Sequence, residues 1–181
     1  AMRWLRDARA RSGNSGQGGG FGAIVERAVP RVSAALPDAA TPARRADLLA
    51  HLGWAEFLRS RDGVPAADPL PQYEAALALD AGNVYALAMR GHLLAWRRNG
   101  MNDAARADFA RAVATGRDRA WVRGMQWGAA TRLPADGDAV LQLADEMRRA
   151  GEPLSDRQRS ALWSVVDVDL GTGRDGGLGP K

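Results

Sequence analysis

The chain has 181 residues, no cysteine, two histidines and a formal net charge of +4. That length suffices for one compact core with tails. The missing thiols exclude a disulfide framework and any thiolate metal site, and no apolar run reaches the 18 or so residues of a membrane-spanning helix.

Residues 1–20 read as a basic, flexible N-terminal segment. Arg3, Arg6, Arg9 and Arg11 stand against Asp7, and Ser12–Gly20 is a Gly-rich linker. No strand precedes it and no Lys-Ser/Thr follows, so it lacks the context of a phosphate-binding loop. The Ala1-Met2 start reads as a trimmed end, which makes a membrane anchor upstream one expectation. At the other end, residues 171–181 read as a loose Gly-rich tail. The two ends together hold six of the 25 basic residues and two of the 21 acidic ones, so residues 21–170 are electrically balanced. The sequence pI of about 10.5 therefore reflects arginine in place of lysine, together with basic ends. A neutral helical body is a poor phosphate-binding surface, and no nucleic-acid partner is expected.

The body, residues 21–170, is rich in alanine and shows no alternating apolar run, which predicts an all-α class. Phe21–Leu36 is a predicted helix with Ile24, Val25, Ala28, Val32 and Leu36 on one side, and Pro30 is expected to kink or split it. Thr41-Pro42 is a helix start, with Thr as cap and Pro in the first turn, and that helix runs to about Arg59. Arg59–Pro71 is a long Pro- and Asp-rich loop. The next helix begins between Asp68 and Gln72 and stops at Ala81-Gly82. Asn83 caps another, to about Arg98. Asn102 or Asp103 opens the fourth of this series, Arg117–Arg132 is the fifth, and Asp138 opens the sixth, which ends at Gly151. Ser155 caps a last helix through about Val168.

Chemistry is sparse. His51 and His92 have no paired ligand spacing and read as hydrogen-bonding surface residues. No His-Glu-x-x-His motif or nucleophile elbow is present. Asp167–Gly177 lacks the acidic ladder and closing Glu of a calcium loop. Asp136, Asp138, Asp145 and Glu146 fit helix N-terminal charge and a solvated face. No catalytic residue, metal or cofactor is expected.

Two stretches share one pattern. The first carries Leu52-Gly53, Trp54 and Phe57, then Tyr73, Ala76, Leu77, Leu79 and Asp80. The second carries Gly91, Leu94 and Trp96, then Ala105, Phe109, Ala112 and Val113. In each, a mid-helix Gly precedes large apolar residues, and a second helix carries an aromatic with a small Ala three residues later. This resembles the tetratricopeptide repeat, a helix-turn-helix unit of about 34 residues. Ala81 and Arg117 stand where the family has proline, and Arg90 where it has an apolar residue, which suggests a slightly rotated helix. A degenerate third unit follows, with helices at Ala120–Thr131 and Asp138–Arg149.

The resemblance implies a short right-handed α-solenoid of antiparallel helix pairs, with a leading and a closing helix. Its implied work is non-catalytic protein–protein interaction, binding a peptide or helix in an aromatic concave groove. The family register puts Trp54, His92 and Trp127 at one repeat position facing that groove. It places Asp47, Ala50, Phe57, Tyr85, Ala88, Trp96 and Arg123 on the same side. The predicted partner-binding residues are thus Trp54, Phe57, Tyr85, His92, Trp96, Arg123 and Trp127. With Arg123 as the one basic residue among them, the cluster that grips chaperone C-termini in some family members is missing. The alternative expectation is a structural or accessory domain of a larger membrane-anchored assembly or enzyme complex. A cytoplasmic location is the expectation otherwise.

Overall fold

The computed structural model describes residues 22–132 and 136–171, and among them every regular element is an α-helix. The helices are α1 (Gly22–Ala35), α2 (Pro42–Arg61), α3 (Leu70–Leu79), α4 (Val84–Arg98), α5 (Asp103–Ala114), α6 (Arg119–Ala130), α7 (Gly137–Arg149) and α8 (Asp156–Gly171). The predicted segment 1–20 and the tail from residue 172 onward lie outside the described residues. Each helix packs on the next along the chain. In addition, α2 packs on α4 and α4 on α6. No described helix is long and apolar enough to cross a membrane.

The helix starts are set by local chemistry. The side chains of Thr41, Asn83, Asn102 and Asp136 each accept the backbone N–H three residues on, at 3.0–3.1 Å. Ser155 and Gln158 form a reciprocal capping box at α8, with Ser155 Oγ accepting Gln158 N–H and Gln158 Oε1 accepting Ser155 N–H. Two of the sequence-predicted starts shift. The cap of α7 is Asp136 rather than Asp138. Helix α6 starts after Asp118, which adopts a left-handed φ of 45° and makes no side-chain cap. The chain runs through Pro30 as one helix, without the predicted split. The Pro30 ring, which lacks an N–H, removes one hydrogen bond within the helix, and burial of Val25, Ala28 and Val32, each at most 2 % exposed, holds the helix on α2 regardless. Asn99, at φ 54°, ends α4, in the role that glycine or asparagine plays at helix C-termini.

Three caps also join one element to another. Asn83 is fully buried, and its Nδ2 donates to Asp47 of α2 at 2.8 Å. Asn102 Nδ2 donates to the Leu94 carbonyl of α4. The second oxygen of Asp136 accepts the Met101 N–H. A loop that reads as merely long is also pinned. Ala67 N–H donates to Glu56, and Arg97 of α4 pairs with Asp68 at 2.6 Å.

Side-chain size is matched pair by pair. A Cβ added to Gly53 would stand 2.8 Å from the Tyr73 ring and 3.1 Å from the Pro69 carbonyl, and one on Gly91 would stand 3.2 Å from the Phe109 ring and the Ala105 carbonyl. Glycine on α2 and α4 thus lets a fully buried aromatic from α3 or α5 lie against helix backbone. The α6–α7 pair inverts the arrangement. Trp127, 36 residues after Gly91, is the large partner, packed in a separate cluster with Val140 and Leu143 of α7. Arg90 does not disturb this packing. It forms a two-pronged ion pair with the buried Asp108 of α5, both bonds 2.7 Å, which satisfies a charge inside the α4–α5 interface.

These contacts give opposite expectations for one substitution at two glycines. Gly53→Ala destabilises by about 1–3 kcal/mol through overpacking against Tyr73, although alanine is the better helix former by about 1 kcal/mol. Gly124→Ala in α6, where an added Cβ meets nothing within 4 Å, stabilises by about 0.5–1 kcal/mol. Chemical denaturation of the two variants checks both signs, and an equal midpoint for them contradicts the packing described.

Candidate functional site

The alternate helices α2, α4 and α6 carry a file of rings, in contact within two groups. On α2, Trp54 stacks on Phe57 with centroids 4.8 Å apart. Both meet His92 of α4 edge-on, at 5.4 and 5.5 Å, and Phe57 also meets Trp96 at 5.4 Å. Toward the start of α4, Tyr85 lies between His51 of α2, at 4.9 Å, and Trp121 of α6, at 5.3 Å. Such edge-to-face contacts suit the ring quadrupoles and fix mutual orientation. Helical spacing explains the file. Residues three or four apart share a face, and stacking α2, α4 and α6 side by side aligns their faces.

Polar contacts hold the rings in place. His51 Nδ1 donates to the Asp47 carbonyl at 2.6 Å, and His92 Nδ1 to the Met125 carbonyl at 3.3 Å. The Tyr85 hydroxyl donates to Asp118 at 2.5 Å. Arg132 lies over the Trp96 ring, 3.1 Å from its centroid, and donates to the Trp96 carbonyl at 2.7 Å. It thereby caps the last turn of α4 while stacking on an indole. Burial lowers its guanidinium pKa from the ordinary arginine value.

Of the residues expected to form the groove, Trp54, His92 and Trp96 are half-buried and adjacent. Phe57 and Tyr85 belong to the same file but are buried, at 3 % and 9 % exposure. Ala50 and Ala88 are fully buried between helices. His51, read from sequence as a surface residue, is 5 % exposed. Trp127 does not join Trp54 and His92. It packs against α7, and its indole N–H has no acceptor among the described residues. Arg123, 6 % exposed, bonds to Gln126, Glu146 and Glu152. Its charge ties α6 to α7 and to the turn after α7. The half-buried ring that completes the file on α6 is Trp121, 36 residues after Tyr85. That spacing is close to the expected repeat of about 34 residues and was the available signal for it.

Below the file, Trp121, Gly124, Met125, Trp127, Gly128 and Thr131 of α6 and its end enclose, with Arg157 of α8, a cleft of about 210 Å³. No described group of three or more His, Cys, Asp or Glu residues is placed to hold a metal ion. Comparison with protein-family models, with curated proteins and with solved structures finds no match for the chain.

The support for α6 is electrostatic. Glu152 accepts from Arg119 and, at 2.9 Å, from Arg123. Burial pushes the Glu152 carboxyl up, but its hydrogen bonds and charge interactions with both arginines outweigh this and leave it below its ordinary 4.5. A carboxylate whose folded pKa is depressed contributes stability above its unfolded pKa and loses it as pH falls through the folded one. Glu152→Gln is expected to lower stability by about 2 kcal/mol at pH 7. The gap from the unsubstituted protein should close as pH falls below 4.5. Thermal melts across that range check this, and a gap that stays constant with pH contradicts it.

Proposed function

We propose that the chain is a short right-handed α-solenoid of tetratricopeptide type that binds a peptide or helix of a protein partner along the ring file of α2, α4 and α6. One pattern supports the repeat reading. Seven hydrogen bonds between separate elements span a repeat-like distance in sequence: Asn83 to Asp47, Tyr85 to Asp118, His92 to Met125, Met101 to Asp136, Arg106 to Gln142, Arg119 to Glu152 and Arg132 to Trp96. Their separations are 33 to 36 residues. A helical-pair unit of about 34 residues stacked on its copy produces that spacing. In this reading α1 is the leading helix and α8 the closing one.

The observation that carries the binding reading is the half-buried state of Trp54, His92, Trp96 and Trp121 on successive helices. Indoles held rigid by ring contacts and still open on one side lose little entropy when a partner covers them, which is why such residues dominate binding energy. The role is non-catalytic: the titrating groups of the file bond to backbone carbonyls or act as caps and struts.

A random peptide library selected on the full chain tests this. Selected sequences should be rich in aromatic and aliphatic residues, and Trp54→Ala should weaken them by about 2 kcal/mol or more with circular dichroism unchanged. Arg45→Ala, at an exposed position on α2, should leave them unaffected. Peptides that bind the Trp54→Ala protein as tightly as the unsubstituted one would place recognition elsewhere.

A further inference from the structure

The cleft beneath the ring file is built differently from the file itself. Trp121, which ends the file, forms one wall, so the two are continuous. Gly124 and Gly128 line it, and an added Cβ at Gly124 would meet nothing within 4 Å. Unlike Gly53 and Gly91, Gly124 therefore serves no helix contact and leaves open space. Trp127 forms another wall. It is nine-tenths buried, and its N–H is unpartnered. The volume of about 210 Å³ suits one large side chain rather than a cofactor, whose pockets run to roughly 300–1,000 Å³.

Charge in this cleft is one-sided. Its lining includes Arg157 and no carboxylate. Nearby arginines are matched: Arg119 and Arg123 with Glu152, Arg148 and Arg149 with Asp145, Arg159 with Asp156. Arg157 has no acidic partner among the described residues, and it stands in the first turn of α8, where the helix dipole disfavours a cation. Arg132, next to the cleft residue Thr131, likewise has no carboxylate partner among the described residues, its contacts being the Trp96 ring and carbonyl.

We infer that this cleft recognises an acidic residue set beside a bulky apolar one in the partner chain. The apolar side chain enters between Trp121, Met125 and Trp127 over Gly124, and the carboxylate pairs with Arg157. The inference rests on the groove reading above and supplies the chemistry that reading lacks, a requirement for negative charge at the α6 end of the file.

The probe is the capped dipeptide acetyl-Phe-Asp-amide, titrated into the full chain and followed by the indole N–H resonances of the six tryptophans. Acetyl-Phe-Asn-amide removes the charge, and acetyl-phenylalaninate moves it to a chain terminus. The Trp121 and Trp127 signals should shift, with Asp favoured over Asn by about fivefold, the worth of one ion pair at an exposed rim. Arg157→Gln should erase that preference without changing the melting temperature, since Arg157 is exposed. Equal or stronger binding of acetyl-phenylalaninate than of the Asp peptide assigns the cleft to a chain terminus and overturns the side-chain assignment. Equal affinity for Asp and Asn, an undiminished preference in Arg157→Gln, or no shift of Trp121 and Trp127 overturns the inference. Charge-independent shifts at Trp54 and Trp96 alone also overturn it and leave the groove reading standing.

Discussion

The buried side chain of Asn83 sets the geometry on which the rest depends. Its oxygen accepts the Ala86 N–H and starts α4. Its nitrogen donates to Asp47 on α2, and its own backbone N–H closes the turn from Asp80. One residue thus fixes where α3 ends, where α4 begins and how far α4 lies from α2. A fully buried amide with all of this met specifies a single arrangement, because any slip of α4 leaves polar atoms buried and unpaired. The meeting of Trp54 with His92 follows from that placement.

Close approach is the second constraint. Gly53 and Gly91 admit Tyr73 and Phe109 against helix backbone, whereas in the α6–α7 pair the large partner is Trp127, packed with Val140 and Leu143. The exchange has a consequence for the surface. Trp127 packs on α7 and also walls the cleft that Trp121, Gly124 and Gly128 line along α6, where glycine leaves open space. Packing inside the pair and shape outside it are two sides of one choice.

Arginine, abundant in this chain, does two kinds of work. Arg90 and Arg123 are inside interfaces and are matched by Asp108, Glu146 and Glu152. Their fork geometry lets Arg90 grip both oxygens of Asp108 and lets the buried Arg123 bond to three residues. Arg132 and Arg157 stand beside aromatic walls with no carboxylate partner among the described residues. Net charge conceals this distinction, since it counts both kinds equally.

Much of the fold was legible in the sequence because the relevant interactions are local. A cap bonds three residues ahead, so Thr41, Asn83, Asn102 and Ser155 declare helix starts without reference to anything distant. The repeated Gly with a later aromatic marked the positions involved, and the packing then paired Gly53 with Tyr73 and Gly91 with Phe109. The misplaced start of α7 and the expected break at Pro30 arose where a neighbouring cap residue, or burial on α2, outweighed the local signal. The candidate site was legible only in part. The resemblance to the tetratricopeptide repeat implied one side for Trp54, His92 and Trp96, but it could not tell a ring that faces solvent from one a half-turn away in an interface. Tertiary structure decided that Trp121 rather than Trp127 completes the file, and that Arg123 is a strut rather than a contact for a partner. Helix rotation is the reason. It is set by the shape and charge of the helix that packs alongside, and residues some 20–35 positions away supply both.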